Sequence, residues 1–352
     1  MKTIDMNGLC AKVETESLNF VAFILTPWHL VGAKATYHYL VSQGKSLRPI
    51  YVVIPHPDQG VLLKDVNDVE LYIFEETLST LIPGHKKEYL SFMTQMMMPK
   101  KTTGEELYIA VNILEQFYVY SYQLSSLNRP IKYLLYEEGL KTYIEKYYSW
   151  RYVWEKSHSV PETLRRAIEN VVCKHFIRNG EIKVLHPLDV NNGKLSINKE
   201  SVEYYKKSLN ILPINLESKK VILILQAPKD YGMKLLKEIV PILLANDFKV
   251  YVKPHPRFPL DVSIGNVEML DSKKAIEDIQ KELKAKYVVG FTSTALLSMN
   301  YLFGCKTVSL ANMYSHGELP DYVEKAFISF KNQCENICKF PSNKSDFKKE
   351  FV

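Results

Sequence analysis

The 352-residue chain is 46% hydrophobic and 24% charged, with only 14 glycines and 17 prolines. This much apolar surface excludes a disordered, linker-rich or collagen-like protein, and the length implies about two domains. The formal charge of +6 is mildly basic; it suits an anionic substrate or an anionic membrane surface, and no nucleic-acid-binding motif accompanies it.

Lys2, Asp5, Lys12, Glu14 and Glu16 lie within the opening residues, so no signal-peptide core is expected. No apolar run reaches the roughly 18 residues of a membrane-spanning helix. Short runs of Val, Ile, Leu and Tyr without strict alternation predict strands buried on both faces, as in parallel sheets. They fall at 20–25, 50–54, 71–74, 107–111 and 133–136, then at 221–225, 248–252, 287–289 and 307–310. Apolar positions recurring at three and four predict helices at 30–40, 235–244 and 275–283. Such alternation gives right-handed crossovers and doubly wound α/β sheets. The stretch 189–220 is more polar and contains Asn191-Asn192-Gly193, Lys206-Lys207 and Pro213. It is expected to link two domains, 1–205 and 206–352. The highly charged segment 344–352 is expected to be solvated. The five cysteines, Cys10, Cys173, Cys305, Cys334 and Cys338, are scattered and odd in number. That argues against a disulfide framework or zinc site and for a cytoplasmic protein.

Four motifs at strand ends bear on chemistry. Ligands of open α/β sheets bind outside the carboxyl ends of strands. Tyr136-Glu137-Glu138-Gly139 stands at such an end. Glu137 or Glu138 can accept a proton from an attacking hydroxyl, and Gly139 lets the backbone turn; alone, the segment also reads as a solvated acidic turn. Lys253-Pro254-His255-Pro256-Arg257 follows the strand at 248–252. Its prolines stiffen the loop, and an imidazole between Lys253 and Arg257 suits a leaving phosphate that gains charge as its bond breaks. The same dipeptide recurs at His56-Pro57 and His186-Pro187, so His255 is distinguished by its flanking cations and its place in the second half. Phe291-Thr292-Ser293-Thr294-Ala295 precedes an apolar helical run at 295–302. Its hydroxyls serve either as caps or, with free backbone N–H groups and the helix dipole, as an anion site. In Leu225-Gln226-Ala227-Pro228-Lys229-Asp230, Asp230 either caps the following helix or acts as a base.

Taken in order, Glu137-Glu138-Gly139, His255-Pro256 and Ser293-Thr294 resemble the acidic-acidic-Gly, His-Pro and Ser/Thr-Ser/Thr motifs of bacterial GT-B sialyltransferases. That group includes lipooligosaccharide sialyltransferases and capsular polysialyltransferases. Leu25-Thr26-Pro27, and Gln226 with Asp230, resemble the lipooligosaccharide branch. The resemblance spans residues 20–310 and implies two Rossmann-like domains facing a central cleft. It implies an inverting enzyme moving sialic acid from CMP-sialic acid to a galactose-type hydroxyl of a bacterial surface glycan, be it lipooligosaccharide, O-antigen or capsule. Gln226, Lys253, Pro256, Arg257, Thr292, Ser293 and Thr294 would hold the donor together with Gly139, and His255 would stabilise the leaving group. The base is ranked Glu137, then Asp230, then Glu138.

The physical requirements agree with that expectation. Glycosyl transfer passes through an oxocarbenium-like centre. An anionic phosphate leaving group can be stabilised by a histidine, cations and hydroxyls, and no Asp-x-Asp motif is present; neither a metal nor a cofactor is expected. Tyr147-Tyr148-Ser149-Trp150-Arg151-Tyr152-Val153-Trp154, and Met93, Met96, Met97 and Met98 before Lys100-Lys101, read first as helix packing and second as acceptor- or membrane-facing surface. A lipid-linked acceptor, peripheral contact with the inner membrane face and a homodimer are compatible with the chain. Two other readings stay open: a GT-B transferase with another donor, CMP-Kdo or a UDP-sugar, and a non-catalytic sugar-nucleotide-binding subunit.

Overall fold

The computed structural model describes residues 2–54, 69–75, 104–111, 124, 127–137, 160, 182–225, 229–255, 265–313 and 321–351, with backbone alone at 182, 229–235 and 321–326. It divides into two compact units, Met1–His186 and Pro187–Val352.

In the first unit, strands β1 (Lys2–Ile4), β2 (Phe20–Ile24), β3 (Pro49–Val53), β4 (Leu71–Phe74), β5 (Leu107–Val111), β6 (Ile131–Tyr136) and β7 (Ile182–Leu185) form one sheet in the order β1-β4-β3-β2-β5-β6-β7. All neighbours pair in parallel. Alternate residues of each strand feed opposite faces, which is why the strands read as unbroken apolar runs. Val21, Phe23, Val52, Ile109 and Leu135 join Leu9 and Val13 of helix α1 (Met6–Thr15) in one core. Phe20, Ala22, Tyr51, Ala110 and Tyr136 join Leu30 and Ala33 of helix α2 (Pro27–Ser42) in the other. Asp5 caps α1 by accepting from Gly8 N at 2.7 Å, and Met6, Leu9 and Val13 are its buried stripe.

The second unit opens with an antiparallel hairpin, β8 (Leu188–Asn191) and β9 (Lys194–Ile197). Its two turn residues, Asn192 and Gly193, have φ of 50° and 75°, the left-handed pair that a tight hairpin demands. Asn198 caps helix α3 (Lys199–Ser208), whose Val202 and Tyr205 are buried. The stretch 189–220 is therefore folded structure belonging to the second unit, and the division at His186/Pro187 falls ahead of the 205/206 boundary expected from its polarity. Strands β10 (Glu217–Ile224), β11 (Lys249–Lys253), β12 (Val267–Met269), β13 (Ala285–Gly290) and β14 (Lys306–Ser309) form a parallel sheet in the order β12-β11-β10-β13-β14. Helices α4 (Lys229–Leu244), α5 (Ile276–Leu283), α6 (Thr294–Phe303), α7 (Asp321–Cys334) and α8 (Lys344–Lys349) complete it.

The charged segment at 344–352 is not a solvated tail. Phe347 is fully buried and Phe351 is 7% exposed; Phe351 stacks within 4.8 Å of Tyr287 and 5.4 Å of Phe248. Lysines and acids dominate its composition, but two aromatics spaced at four suffice to pin it to the core. The fold class is thus α/β, with two units each built on a doubly wound parallel sheet.

Candidate functional site

In a doubly wound sheet the ligand crevice opens at the carboxyl edge where successive connections leave in opposite directions. In the second sheet the chain runs outward from β10 to β11 and β12, then returns to β13 on the other side of β10. The switch point lies between the ends of β10 and β13. Gly290, the last residue of β13, lies close against Ile224, the last of β10: a Cβ on Gly290 would stand 3.4 Å from the Ile224 carbonyl oxygen.

Beyond Gly290 the chain is held before it enters α6. Ser309 Oγ donates to the Phe291 carbonyl at 2.5 Å, and the buried Phe291 ring stacks on Phe327 at 5.7 Å. Thr292, Ser293 and Thr294 follow, each half-buried. Ser293 is the N-cap: its backbone is extended and its Oγ accepts from Ala295 N at 3.2 Å. Thr292 and Thr294 flank this cap at the positive end of the helix dipole. On the other side of β10, β11 ends at Lys253 and delivers Pro254 and the half-buried His255 to the same edge. Strands lie about 4.8 Å apart, so the exits of β11 and β13 are separated by about 10 Å, a span suited to a phosphate and its sugar.

Lys253 does not present its charge to that edge. It is 5% exposed, and its Nζ donates to the carbonyls of Ser272 at 2.7 Å and Pro254 at 3.3 Å. Burial pushes its ammonium down to about 8, against the opposing influence of Asp271 and Glu277. Glu277 itself accepts from Ser298 Oγ at 2.9 Å, and burial raises its carboxyl.

In the first sheet the switch point lies between β2 and β5. Thr26, directly after Leu25, caps α2 by accepting from His29 N at 3.2 Å, with Pro27 in the first turn. His29 is 3% exposed. Its Nδ1 accepts from Leu25 N at 3.3 Å, which places the ring proton of the neutral imidazole on Nε2. Its ring lies 5.9 Å from that of Tyr136, and Tyr136 donates its hydroxyl to the Phe23 carbonyl. Glu137, next along, is completely buried at the end of β6.

Of the expected site residues, Lys253, His255, Thr292, Ser293 and Thr294 share the carboxyl edge of the second sheet, and Glu137 stands at that of the first. Glu138, Gly139, Gln226, Pro256 and Arg257 lie outside the described residues, as do His56 and the aromatic and methionine segments at 147–154 and 93–98. Asp230 lies in the first turn of α4, with its side chain outside the description. His186 is half-buried, and desolvation pushes its imidazole down to about 4. An open pocket of about 240 Å³ near Lys12, Glu16 and Tyr72 borders the amino end of β3 at Pro49 and Ile50, away from the carboxyl edge. Among the described residues no group of three or more His, Cys, Asp or Glu side chains could hold a metal, and no helix is long and apolar enough to cross a membrane.

A family model described as Alpha-2,8-polysialyltransferase (POLYST) matches residues 20–312. A search of curated proteins finds no match. Among solved structures, the chain is similar to an alpha/beta-galactoside alpha-2,3-sialyltransferase from Photobacterium phosphoreum, with 12% identity, a TM-score of 0.45, and coverage of 97% of this chain and 98% of that one. It is similar also to a 2,6-sialyltransferase from Photobacterium sp. JT-ISH-224 in a ternary complex with CMP and lactose, with 11% identity, a TM-score of 0.42, and coverage of 92% and 78%. A UDP-GlcNAc 2-epimerase from Neisseria meningitidis bound to UDP-GlcNAc has 10% identity, a TM-score of 0.44, and coverage of 95% and 94%.

Proposed function

Since the chain belongs to the alpha-2,8-polysialyltransferase family, we propose that it transfers sialic acid from CMP-sialic acid to a sugar hydroxyl of a bacterial surface glycan, with inversion and without a metal. The observation that carries this reading is the second sheet's switch point. There a capped helix start with three hydroxyl residues, Thr292, Ser293 and Thr294, shares one edge with His255.

In the proposed reaction the acceptor oxygen attacks the anomeric carbon as the bond from that carbon to the CMP phosphate breaks. The phosphate leaves with the bonding electrons. His255, the hydroxyls of Thr292 to Thr294 and the N-terminal turn of α6 stabilise the charge it gains. The acceptor proton passes to a carboxylate, with Glu137 ranked ahead of Asp230 and Glu138. The +6 charge fits a peripheral contact with an anionic membrane carrying a lipid-linked acceptor.

The acceptor proposed first ends in a galactose-type sugar. The family's description favours a second, one that already ends in sialic acid. Incubation with CMP-sialic acid and either lactose or sialyllactose, read by mass, tests both. A mass gain of one or more sialyl residues is expected. Turnover of CMP-Kdo or a UDP-sugar with none of CMP-sialic acid overturns the donor, and binding of CMP-sialic acid without CMP release points to a non-catalytic subunit.

A further inference from the structure

A lysine ending a central strand is an odd occupant of a protein interior, because an ammonium withdrawn from water is costly unless fully hydrogen-bonded. Lys253 is such a residue. Its two carbonyl partners belong to different chain segments: Pro254 continues from β11, and Ser272 follows β12, the strand paired with β11. Pro254 has a fixed φ and no N–H of its own, so the direction of its carbonyl largely determines how the chain enters His255. The sequence alone suggested that Lys253 flanks the donor; the geometry turns it inward, toward its own loop.

We propose that Lys253 is a positioning residue: its ammonium ties the exits of β11 and β12 together and thereby sets the direction of His255 at the donor site. The inference rests on the proposed function in that His255 acts on the leaving phosphate. The charged groups facing the ammonium are Asp271, at the β12 exit, and Glu277, from α5. Both favour the charged state while burial opposes it, leaving the group at about 8. Above that pH the brace loses the charge that holds both carbonyls.

The test is a double-mutant cycle with CMP-sialic acid, using Lys253→Met and Lys253→Arg alone and in a His255→Ala background. Displacing a catalytic group by a fraction of an ångström costs rate, so Lys253→Met is expected to lower kcat by about tenfold or more. The donor KM is expected to stay within about threefold, as for a residue that does not bind donor. In the His255→Ala background the same change is expected to cost less than about twofold, because residues acting as one unit are not additive. Equal losses in both backgrounds, or a rise in KM at constant kcat, overturn the proposal. Wild type is expected to lose activity along an alkaline limb near pH 8 that Lys253→Arg shifts upward, since a guanidinium does not titrate there. An unmoved limb overturns the proposal even if Lys253→Met fails to fold. A readout independent of turnover is the His255 imidazole resonance. It is expected to move in Lys253→Met and to hold its place in Lys253→Arg, and an unchanged resonance in Lys253→Met refutes the brace. If wild type releases no CMP while that resonance moves, the brace stands and the assigned reaction fails.

Discussion

Gly32 of α2 lies flat against Tyr136 of β6: a Cβ on Gly32 would meet the ring at 2.6 Å. The contact holds the helix that begins at the first switch point directly over the strand that leads into Glu137. Gly32→Ala forces either the helix or the tyrosine to move, and overpacking of a tight core typically costs about 1–3 kcal/mol. A drop in the denaturant midpoint accompanied by reduced turnover is expected. Wild-type stability in this variant would show that the interface yields more freely than its spacing indicates.

Glu137→Gln preserves shape and removes the proton acceptor. Turnover is expected to fall by about 10²-fold or more, the scale of a general base, while CMP-sialic acid still binds. A nearly active Glu137→Gln beside a dead Asp230→Asn moves the base to α4. Full activity in both removes the mechanism.

His255→Ala is expected to lower turnover by about 10²–10³-fold, the scale of one lost charge-stabilising donor, with a smaller effect on donor affinity. His186→Ala and His56→Ala are expected to stay within about tenfold of wild type if folded. Burial pushes the His186 imidazole down to about 4, which suits it poorly to stabilising a departing phosphate. An active His255→Ala with a dead His56→Ala would put the leaving-group site elsewhere.

Transfer is expected to persist in EDTA. Abolition by the chelator and rescue by a divalent ion would replace His255 and the α6 hydroxyls with a metal as the main stabiliser of the phosphate.

The buried ammonium of Lys253 also makes a thermodynamic prediction. Its folded value of about 8 lies below the usual 10.5. Below pH 8 both folded and unfolded chains carry the proton, and the folded state bears the whole burial penalty. Between the two values the unfolded chain binds more protons, so this group raises stability as pH rises. The Tm of wild type minus that of Lys253→Met is therefore expected to climb from pH 8 to 10. A flat difference would mean the amine is better solvated than its 5% exposure indicates.

The central strands were legible because burial on both faces leaves a local record. The run 107–111 needs no distant information to be read as β5, and 71–74 is the same for β4. Strand β1 was not legible: Lys2 and Thr3 are exposed, and it exists by pairing with β4, far along the chain. Helix α1 left a fair signal in Asp5, Met6, Leu9 and Val13, overlooked beside the charges of the opening segment. For the candidate site, the strand-end rule put Glu137, His255 and Ser293 just past strand exits, and the structure has them there. The inward turn of Lys253 was not legible, because Ser272, the carbonyl it reaches, is separated from it by a strand and two connections.

Phe347 and Phe351 have a further consequence for biogenesis. Their rings lie 4.7 Å apart, and Phe351 packs on Phe248 and Tyr287, residues of a sheet synthesised long before them. While the ribosome is still adding α7, that aromatic face is bare. The core of the second unit is therefore complete only once residues 347–351 have been made and docked.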